Sequence, residues 1–185
     1  LPKKYPNRRV LGVIRPTAEV IGDYTKTNEV GVMGTRGTVN SNSYPIEINH
    51  FFPGLTVHQQ ACPMWVPLIE NSEHLNPGAD YFVNNYVQEM MAQSSAIDCV
   101  LLACTHYPLL IPKIKAYLPQ NVNLLAQGDI VADSLADYLV RHPEMESQLA
   151  QNSKKEFYTT GDVKVFDNHA SLFLAEEVFC EKVKV

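Results

Sequence analysis

Short apolar stretches alternate with longer amphipathic stretches along most of this 185-residue chain. Apolar, β-branched runs that end at Gly, Pro or polar residues predict strands at 10–14, 29–33, 55–61, 96–103, 121–126 and 157–160. The intervening stretches predict helices at 17–24, 38–49, 65–70, 78–93, 109–117, 128–141 and 163–179. Strands that alternate with helices in this way are typical of an α/β fold with a mostly parallel sheet covered on both faces.

The predicted elements divide the chain unequally. Residues 10–126 hold five of the predicted strands, which is enough for one complete, doubly wound α/β lobe. Residues 127–185 hold one predicted strand between two helices, and a single strand cannot form a sheet. We therefore expect residues 127–185 to be the C-terminal part of a second α/β lobe, which is incomplete without residues upstream of Leu1.

Composition and charge argue against several classes of protein. The formal net charge is −5 and the basic residues are dispersed, so we expect no nucleic-acid partner. No apolar run approaches the roughly 20 residues of a membrane span, and the chain shows no signal-peptide pattern, which predicts a cytoplasmic protein without a membrane partner. The cysteines at 62, 99, 104 and 180 lack paired spacing and are expected to be reduced. The histidines form no HExxH motif, so we expect no metal.

Residues 101–108 (LLACTHYP) carry the strongest chemical signal. An apolar run predicts a central strand, and Cys104 follows at its carboxyl end, where a helix is predicted to begin. Because the N–H groups at a helix start stabilise a thiolate, we expect the pKa of Cys104 to be lowered. His106, two residues on, could hold or pass a proton. The alternative is that Cys104, like Cys99 within the same strand, is a buried core residue.

Two further strand ends carry polar or nucleophilic groups, and in open α/β sheets ligands bind at this edge. Residues 34–38 (GTRGT) follow one strand, and Cys62 follows another. The glycines and hydroxyls of residues 34–38 suit a small carboxylate, although N-capping by Thr35 or Thr38 is the more ordinary explanation. Glu70 ends the helix predicted at 65–70, where a solvated carboxylate is the ordinary interpretation.

Four segments of the chain, in order, resemble glutamate racemase, of the aspartate/glutamate racemase superfamily. They are residues 32–41 (VMGTRGTVNS), 61–70 (ACPMWVPLIE), 102–110 (LACTHYPLL) and 157–162 (FYTTGD). The resemblance runs from about residue 10 to residue 179. It implies two pseudo-symmetric α/β lobes with glutamate between them, no cofactor, and two opposed cysteines that exchange the Cα proton.

The resemblance also implies a role for individual residues. Cys104 would be the second catalytic cysteine, His106 would assist it, and both Thr105 and His106 would contact the substrate. Thr35 and Thr38 would bind the amino acid. Glu70 would support proton handling near the site. The resemblance further implies a cytoplasmic isomerase that supplies D-glutamate for peptidoglycan, and hence for the cell wall and cell shape. It also implies that the protein could form a homodimer.

The sequence departs from the family pattern in three places. The Asp-Ser-Gly loop and the Cys-Asn-Thr segment with the first catalytic cysteine are absent, and Arg15 stands where the family usually has Glu. With one of two bases, this chain is expected to be inactive by itself. Two alternatives stay open: an aspartate or hydantoin racemase of the same superfamily, and a non-catalytic remnant or interaction module.

Overall fold

The computed structural model describes residues 4, 6, 10–150 and 152–184. They fall into two compact units, one extending to Asp137 and one starting at Tyr138. The strands of the first unit are β1 (Glu29–Gly34), β2 (Thr56–Ala61), β3 (Cys99–Leu102) and β4 (Asn123–Ala126). Its helices are α1 (Ile14–Val20), α2 (Arg36–Ser41), α3 (Ser43–Phe51), α4 (Trp65–Glu70), α5 (Pro77–Met91) and α6 (Ile111–Tyr117), with 3-10 helices at Ile21–Tyr24 and Tyr107–Leu110. Helix α7 (Gln127–Arg141) contains the boundary between the units.

The strands of the first unit form one parallel sheet in the order β2-β1-β3-β4. The two central strands, β1 and β3, are almost entirely buried, as expected of strands covered on both faces. The connection from β2 to β3 crosses β1 to reach its other side, so the sheet winds in both directions from its centre. The predicted α/β class with a mostly parallel, doubly wound sheet is confirmed.

Helices pack on both faces of this sheet. On one face, side chains of β1 and β3 pack against α4, α5 and α6; the buried residues there include Met33, Val100, Leu102, Trp65, Val87 and Ile114. On the other face, the same strands pack against α1 and α3; the buried residues there include Val30, Val32, Leu101, Ala18, Tyr44 and Ile48. The period-2 alternation of the strands therefore divides the core into two layers.

Residues 10–14 form no strand, and the prediction of one there is wrong. Val10, Leu11 and Val13 are each more than half exposed, and α1 already begins at Ile14. Pro16 lies in the first turn of α1, where proline is tolerated because the missing N–H has no partner within the helix. The sheet of the first unit thus has four strands rather than the five predicted, as far as the structure describes the chain.

The helix predicted at 38–49 is broken into α2 and α3. The break is at Asn42, whose φ of 53° places it in the left-handed region that Asn tolerates better than most residues. The side-chain oxygen of Asn42 accepts a hydrogen bond of 2.9 Å from Gln59 Nε2 on β2. The helices predicted at 65–70 and 78–93 are confirmed as α4 and α5.

The second unit holds helix α8 (Pro143–Glu146), strand β5 (Tyr158–Thr159), helix α9 (Val163–Leu174) and strand β6 (Glu181–Lys182). Strand β5 pairs in parallel with β6, so the prediction of a single strand in residues 127–185 is wrong. The last helix also ends earlier than predicted, at Leu174, because Ala175 adopts the left-handed conformation with φ of 51°. The backbone beyond it bonds to side chains of α9. Val178 N–H donates to Ser171 Oγ at 2.9 Å, and Cys180 N–H donates to Asp167 Oδ1 at 2.8 Å.

Candidate functional site

The ends of three neighbouring strands lie side by side at the carboxyl edge of the sheet. Cys62 N–H donates to Gly34 O at 2.8 Å, which continues the β1–β2 pairing past the end of β2. Ala103 N–H donates to Met33 O at 2.8 Å, which does the same for β1 and β3. The structure therefore brings together the three strand ends that the sequence singled out.

Cys104 begins the turn that leaves β3. Its side chain is partly buried, Thr105 is exposed, and a 3-10 helix starts at Tyr107 before α6 begins at Ile111. Tyr107 N–H donates to Cys104 O at 3.3 Å and closes this turn. The thiol is thus held at the edge of the sheet, between the core and the surface.

The expected lowering of the Cys104 pKa is wrong. Burial raises the pKa of the Cys104 thiol, and it outweighs the hydrogen bonds from the backbone N–H groups of His106 and Tyr107, which act to lower it. The Glu70 carboxylate raises this pKa further, because its negative charge disfavours a second one nearby. The position of Cys104 at a strand end predicted the nearby backbone N–H groups, but not how deeply the thiol is buried. Because burial raises its pKa, Cys104 is a protonated thiol at neutral pH.

Glu70, His106 and Cys104 form a line of acid–base groups. His106 Nε2 lies 3.2 Å from Glu70 Oε1, at the end of α4. His106 Nδ1 lies 3.9 Å from the sulfur of Cys104 and 3.4 Å from Thr105 Oγ1. A neutral imidazole with its proton on Nε2 donates to Glu70 and leaves Nδ1 to accept from the thiol. Glu70 is therefore a partner of His106 and not only a solvated helix end.

Thr35 and Thr38 lie at the carboxyl end of β1. Thr35 is the N-cap of α2, since its hydroxyl accepts from Thr38 N–H at 3.2 Å, and the two hydroxyls are 3.0 Å apart. Their ordinary capping role is thus present. Gly34 keeps Thr38 close to the next strand: a Cβ on Gly34 would lie 3.1 Å from the Thr38 side chain and 3.8 Å from that of Ala103. Thr38 therefore lies beside the residue that precedes Cys104.

The remaining cysteines of the first unit belong to the core. Cys62 and Cys99 are completely buried, and burial raises the pKa of both thiols, that of Cys99 to about 12. The assignment of Cys99 to the core is confirmed. Arg15 lies on α1, where it pairs with Glu19 at 2.9 Å and covers the ring of Phe51.

Three residues at this edge were missed by the sequence interpretation. Tyr44 O–H donates to Gln127 Oε1 at 2.9 Å, and Gln127 Nε2 donates to Leu102 O at 3.4 Å, which ties the end of β3 to α3 and α7. Tyr107 O–H donates to Cys62 O at 3.2 Å. Gln127 directly follows β4, so the rule that pointed to the other three strand ends also applies to it. Neither tyrosine carries a comparable sequence signal.

Neither a metal-binding cluster nor a membrane-spanning helix is found among the described residues. No group of three or more His, Cys, Asp or Glu side chains among them could hold a metal ion. None of the described helices combines the length and the hydropathy that a membrane span requires.

Comparison with known proteins gives a consistent group of relatives, although no family model matches the sequence. The glutamate racemase of Enterococcus faecalis is 35% identical over 168 residues, which are 91% of this chain and 61% of the relative. Among solved structures, glutamate racemase isoform RacE1 from Bacillus anthracis has a TM-score of 0.85 and 30% identity, over 99% of this chain and 67% of that protein. Glutamate racemase from Thermus thermophilus in complex with beta-chloro-D-alanine has a TM-score of 0.77 and 29% identity, over 100% and 67%. The chain spans about three fifths of the length of the curated relatives it matches.

Proposed function

This chain belongs to the glutamate racemase family, and on that premise we propose that its site serves the cofactor-independent interconversion of L- and D-glutamate. The observation that carries the proposal is the line of Glu70, His106 and Cys104 at the carboxyl edge of the sheet. This edge is where open α/β folds bind small ligands. A thiol next to an imidazole can take up and release a proton at a carbon centre.

The proposed chemistry is proton transfer at Cα. In one direction the Cys104 thiolate removes the Cα proton, so that a C–H bond breaks, an S–H bond forms and the electron pair stays on the substrate. In the other direction the Cys104 thiol donates its proton to Cα and becomes a thiolate. The resting thiol is protonated because burial raises its pKa, so it is ready for the second role. For the first, His106 accepts the thiol proton at Nδ1, and the contact of its Nε2 with Glu70 holds the ring in the orientation that points Nδ1 at the thiol.

The other predicted site residues take binding roles in this proposal. Thr105 lies beside His106 on the exposed side of the turn, with its hydroxyl available to an amino or carboxylate group. Thr35 and Thr38 offer hydroxyls next to the strand end that precedes Cys104. Glutamate is favoured over aspartate or a hydantoin because the relatives identical at 31–35% are glutamate racemases. The Thermus relative in complex with beta-chloro-D-alanine supports an amino-acid-like ligand.

Racemisation requires a second base on the opposite face of Cα. Cys62 and Cys99 are buried in the core of the first unit and cannot serve. We propose that the second thiol comes from the part of the relatives' length that this chain does not span, and that this chain alone does not racemise glutamate. The family further suggests a cytoplasmic enzyme that can form a homodimer. Its D-glutamate would enter peptidoglycan and thereby support the cell wall and cell shape.

The test separates proton exchange from racemisation. The purified chain is incubated in D2O with L-glutamate, D-glutamate, L-aspartate or D-aspartate. Loss of the Cα proton is followed by NMR, and the ratio of the two enantiomers is followed by circular dichroism. A single base reaches one face of Cα, so we expect slow exchange of one glutamate enantiomer, with retention of configuration and no racemisation. Cys104→Ser should abolish the exchange and Cys180→Ser should retain it. Racemisation by this chain, or exchange that survives in Cys104→Ser, would contradict the proposal.

A further inference from the structure

Tyr107 is the most buried polar side chain next to the line of acid–base groups. It is 0% exposed, and its hydroxyl donates to the backbone oxygen of Cys62 at 3.2 Å. Its ring packs edge to face against Trp65, with ring centroids 4.7 Å apart and planes at 77°. Trp65 is also completely buried, so this pair of rings has a fixed geometry.

The phenol hydrogen bond and the ring contact of Tyr107 with Trp65 both reach the beginning of α4. Cys62 O, which accepts from the phenol, also accepts from Trp65 N–H at 3.2 Å, the bond that leads the chain into α4. Trp65 is the first residue of α4, and Glu70 is the last. A six-residue helix is short enough that the position of its first turn fixes the position of its end.

The backbone of Tyr107 belongs to the other side of the same contact. Tyr107 directly follows His106, and its N–H donates to Cys104 O at 3.3 Å. Tyr107 therefore joins the two segments that meet where His106 Nε2 lies 3.2 Å from Glu70 Oε1.

We propose that Tyr107 is a positioning residue, whose buried phenol holds the end of α4 so that Glu70 meets His106 beside the Cys104 thiol. Any effect of this positioning on proton transfer to glutamate rests on the proposed function. The effect on the reactivity of the Cys104 thiol does not. Without the phenol hydroxyl, the start of α4 is less restrained and the Glu70 carboxylate lies farther from both groups on average. Because that carboxylate disfavours the thiolate, its withdrawal makes Cys104 more reactive at neutral pH.

A double-mutant cycle tests this coupling. The rate of Cys104 alkylation by iodoacetamide is measured at pH 7.5 by mass spectrometry of the peptide that contains Cys104, in the wild-type chain, Tyr107→Phe, Glu70→Gln and the double variant. We expect Tyr107→Phe to accelerate alkylation in the wild-type background and to add little in the Glu70→Gln background. The expected coupling is at least about threefold in rate, which is within the usual range for residues in one hydrogen-bonded network.

Tyr44→Phe is the matched control, because Tyr44 is also a buried tyrosine near Cys104 but bonds to Gln127 on the opposite face of the sheet. Its effect should be independent of Glu70. Equal acceleration by Tyr107→Phe in both backgrounds would overturn the proposal, since it would mean a general loosening of the core. If Tyr107→Phe does not fold, Trp65→Phe, which reduces the ring contact between Tyr107 and the start of α4, takes its place in the cycle with the same expected coupling.

The cycle needs no substrate. If this chain fails to exchange the Cα proton of glutamate while the cycle shows coupling, the proposed function fails and the role of Tyr107 stands. If glutamate is exchanged and the cycle shows no coupling, the role of Tyr107 fails alone.

Discussion

Glu70 and His106 are 36 positions apart in the sequence, yet Oε1 of the carboxylate lies 3.2 Å from Nε2 of the imidazole. The contact exists because α4 leaves the end of β2 and the Cys104 turn leaves the end of β3, at the same edge of the sheet. The histidine then reaches the sulfur of Cys104 with its other ring nitrogen, at 3.9 Å. One imidazole therefore connects a carboxylate to a thiol.

Replacing Glu70 with Gln should make Cys104 more reactive. Burial and the Glu70 carboxylate both raise the pKa of the thiol. Removal of the carboxylate therefore lowers this pKa, which is the midpoint of the titration, and increases the fraction of thiolate at pH values below it. Glu70 is 46% exposed, and solvent screening should keep the fall of the midpoint small. The measurement is the alkylation rate of Cys104 between pH 6 and pH 10. Glu73→Gln, in the loop after α4, is the control; a midpoint that rises in Glu70→Gln would contradict the assignment.

The unmodified chain should show a graded reactivity of its thiols. The pKa of Cys104 is raised by burial, so its alkylation rate should rise with a midpoint above about pH 8.5, the value of an ordinary thiol. Cys62 and Cys99 are fully buried and should react only on unfolding. Peptide mass spectrometry after timed alkylation distinguishes the sites. A Cys104 midpoint below that of an unstructured peptide containing the same residues would show that the helix-start N–H groups outweigh burial.

Much of the fold follows from patterns that act over short distances. Buried strands such as β1 and β3 are nearly continuous apolar runs; β1 was predicted to within one residue of its observed bounds, and β3 lies inside the longer run predicted at 96–103. The failure at residues 10–14 has a different cause. An apolar run becomes a strand only where another strand can pair with it, and Val10 and Leu11 have no such neighbour among the described residues.

The site was predictable in part for the same reason. Thr35, Cys62 and Cys104 follow strands, and the rule for parallel sheets brings strand ends together without knowledge of the side chains. The pKa of Cys104 was not predictable, because it depends on how deeply the turn is buried and on a carboxylate from another element. The contact of Tyr107 with Cys62 O is equally remote in sequence and carries no pattern of its own.

Gly34→Ala should destabilise the first unit. The added Cβ would lie 3.1 Å from both Cβ and Cγ2 of Thr38, closer than side-chain contacts normally come. We expect a loss of about 1–2 kcal/mol in the free energy of unfolding, as is usual for overpacking. Urea unfolding followed by the fluorescence of Trp65, the single tryptophan of the sequence, measures it. Gly54→Ala is the matched control, since no atom other than those of Gly54 and its two chain neighbours lies within 4 Å of the position of its Cβ. An equal loss in both variants would refute a specific clash with Thr38.

Asp98→Asn should remove a pH-dependent contribution to stability at the opposite edge of the sheet. Asp98 precedes β3 and accepts hydrogen bonds from Lys26 N–H at 2.7 Å, from Thr27 N–H at 3.2 Å and from the Thr25 hydroxyl. Burial acts to raise the pKa of this carboxyl, but these hydrogen bonds outweigh it and lower the pKa below its usual value.

A lowered folded-state pKa stabilises the protein above the unfolded pKa of about 3.9, and the contribution is lost as the pH falls through the folded value. We therefore expect Asp98→Asn to cost about 1 kcal/mol at pH 7, the usual size for bonds to a partly exposed charge, and less at pH 3. Urea midpoints of both proteins at the two pH values measure the difference, and a cost that grows as the pH falls would contradict the sign assigned here.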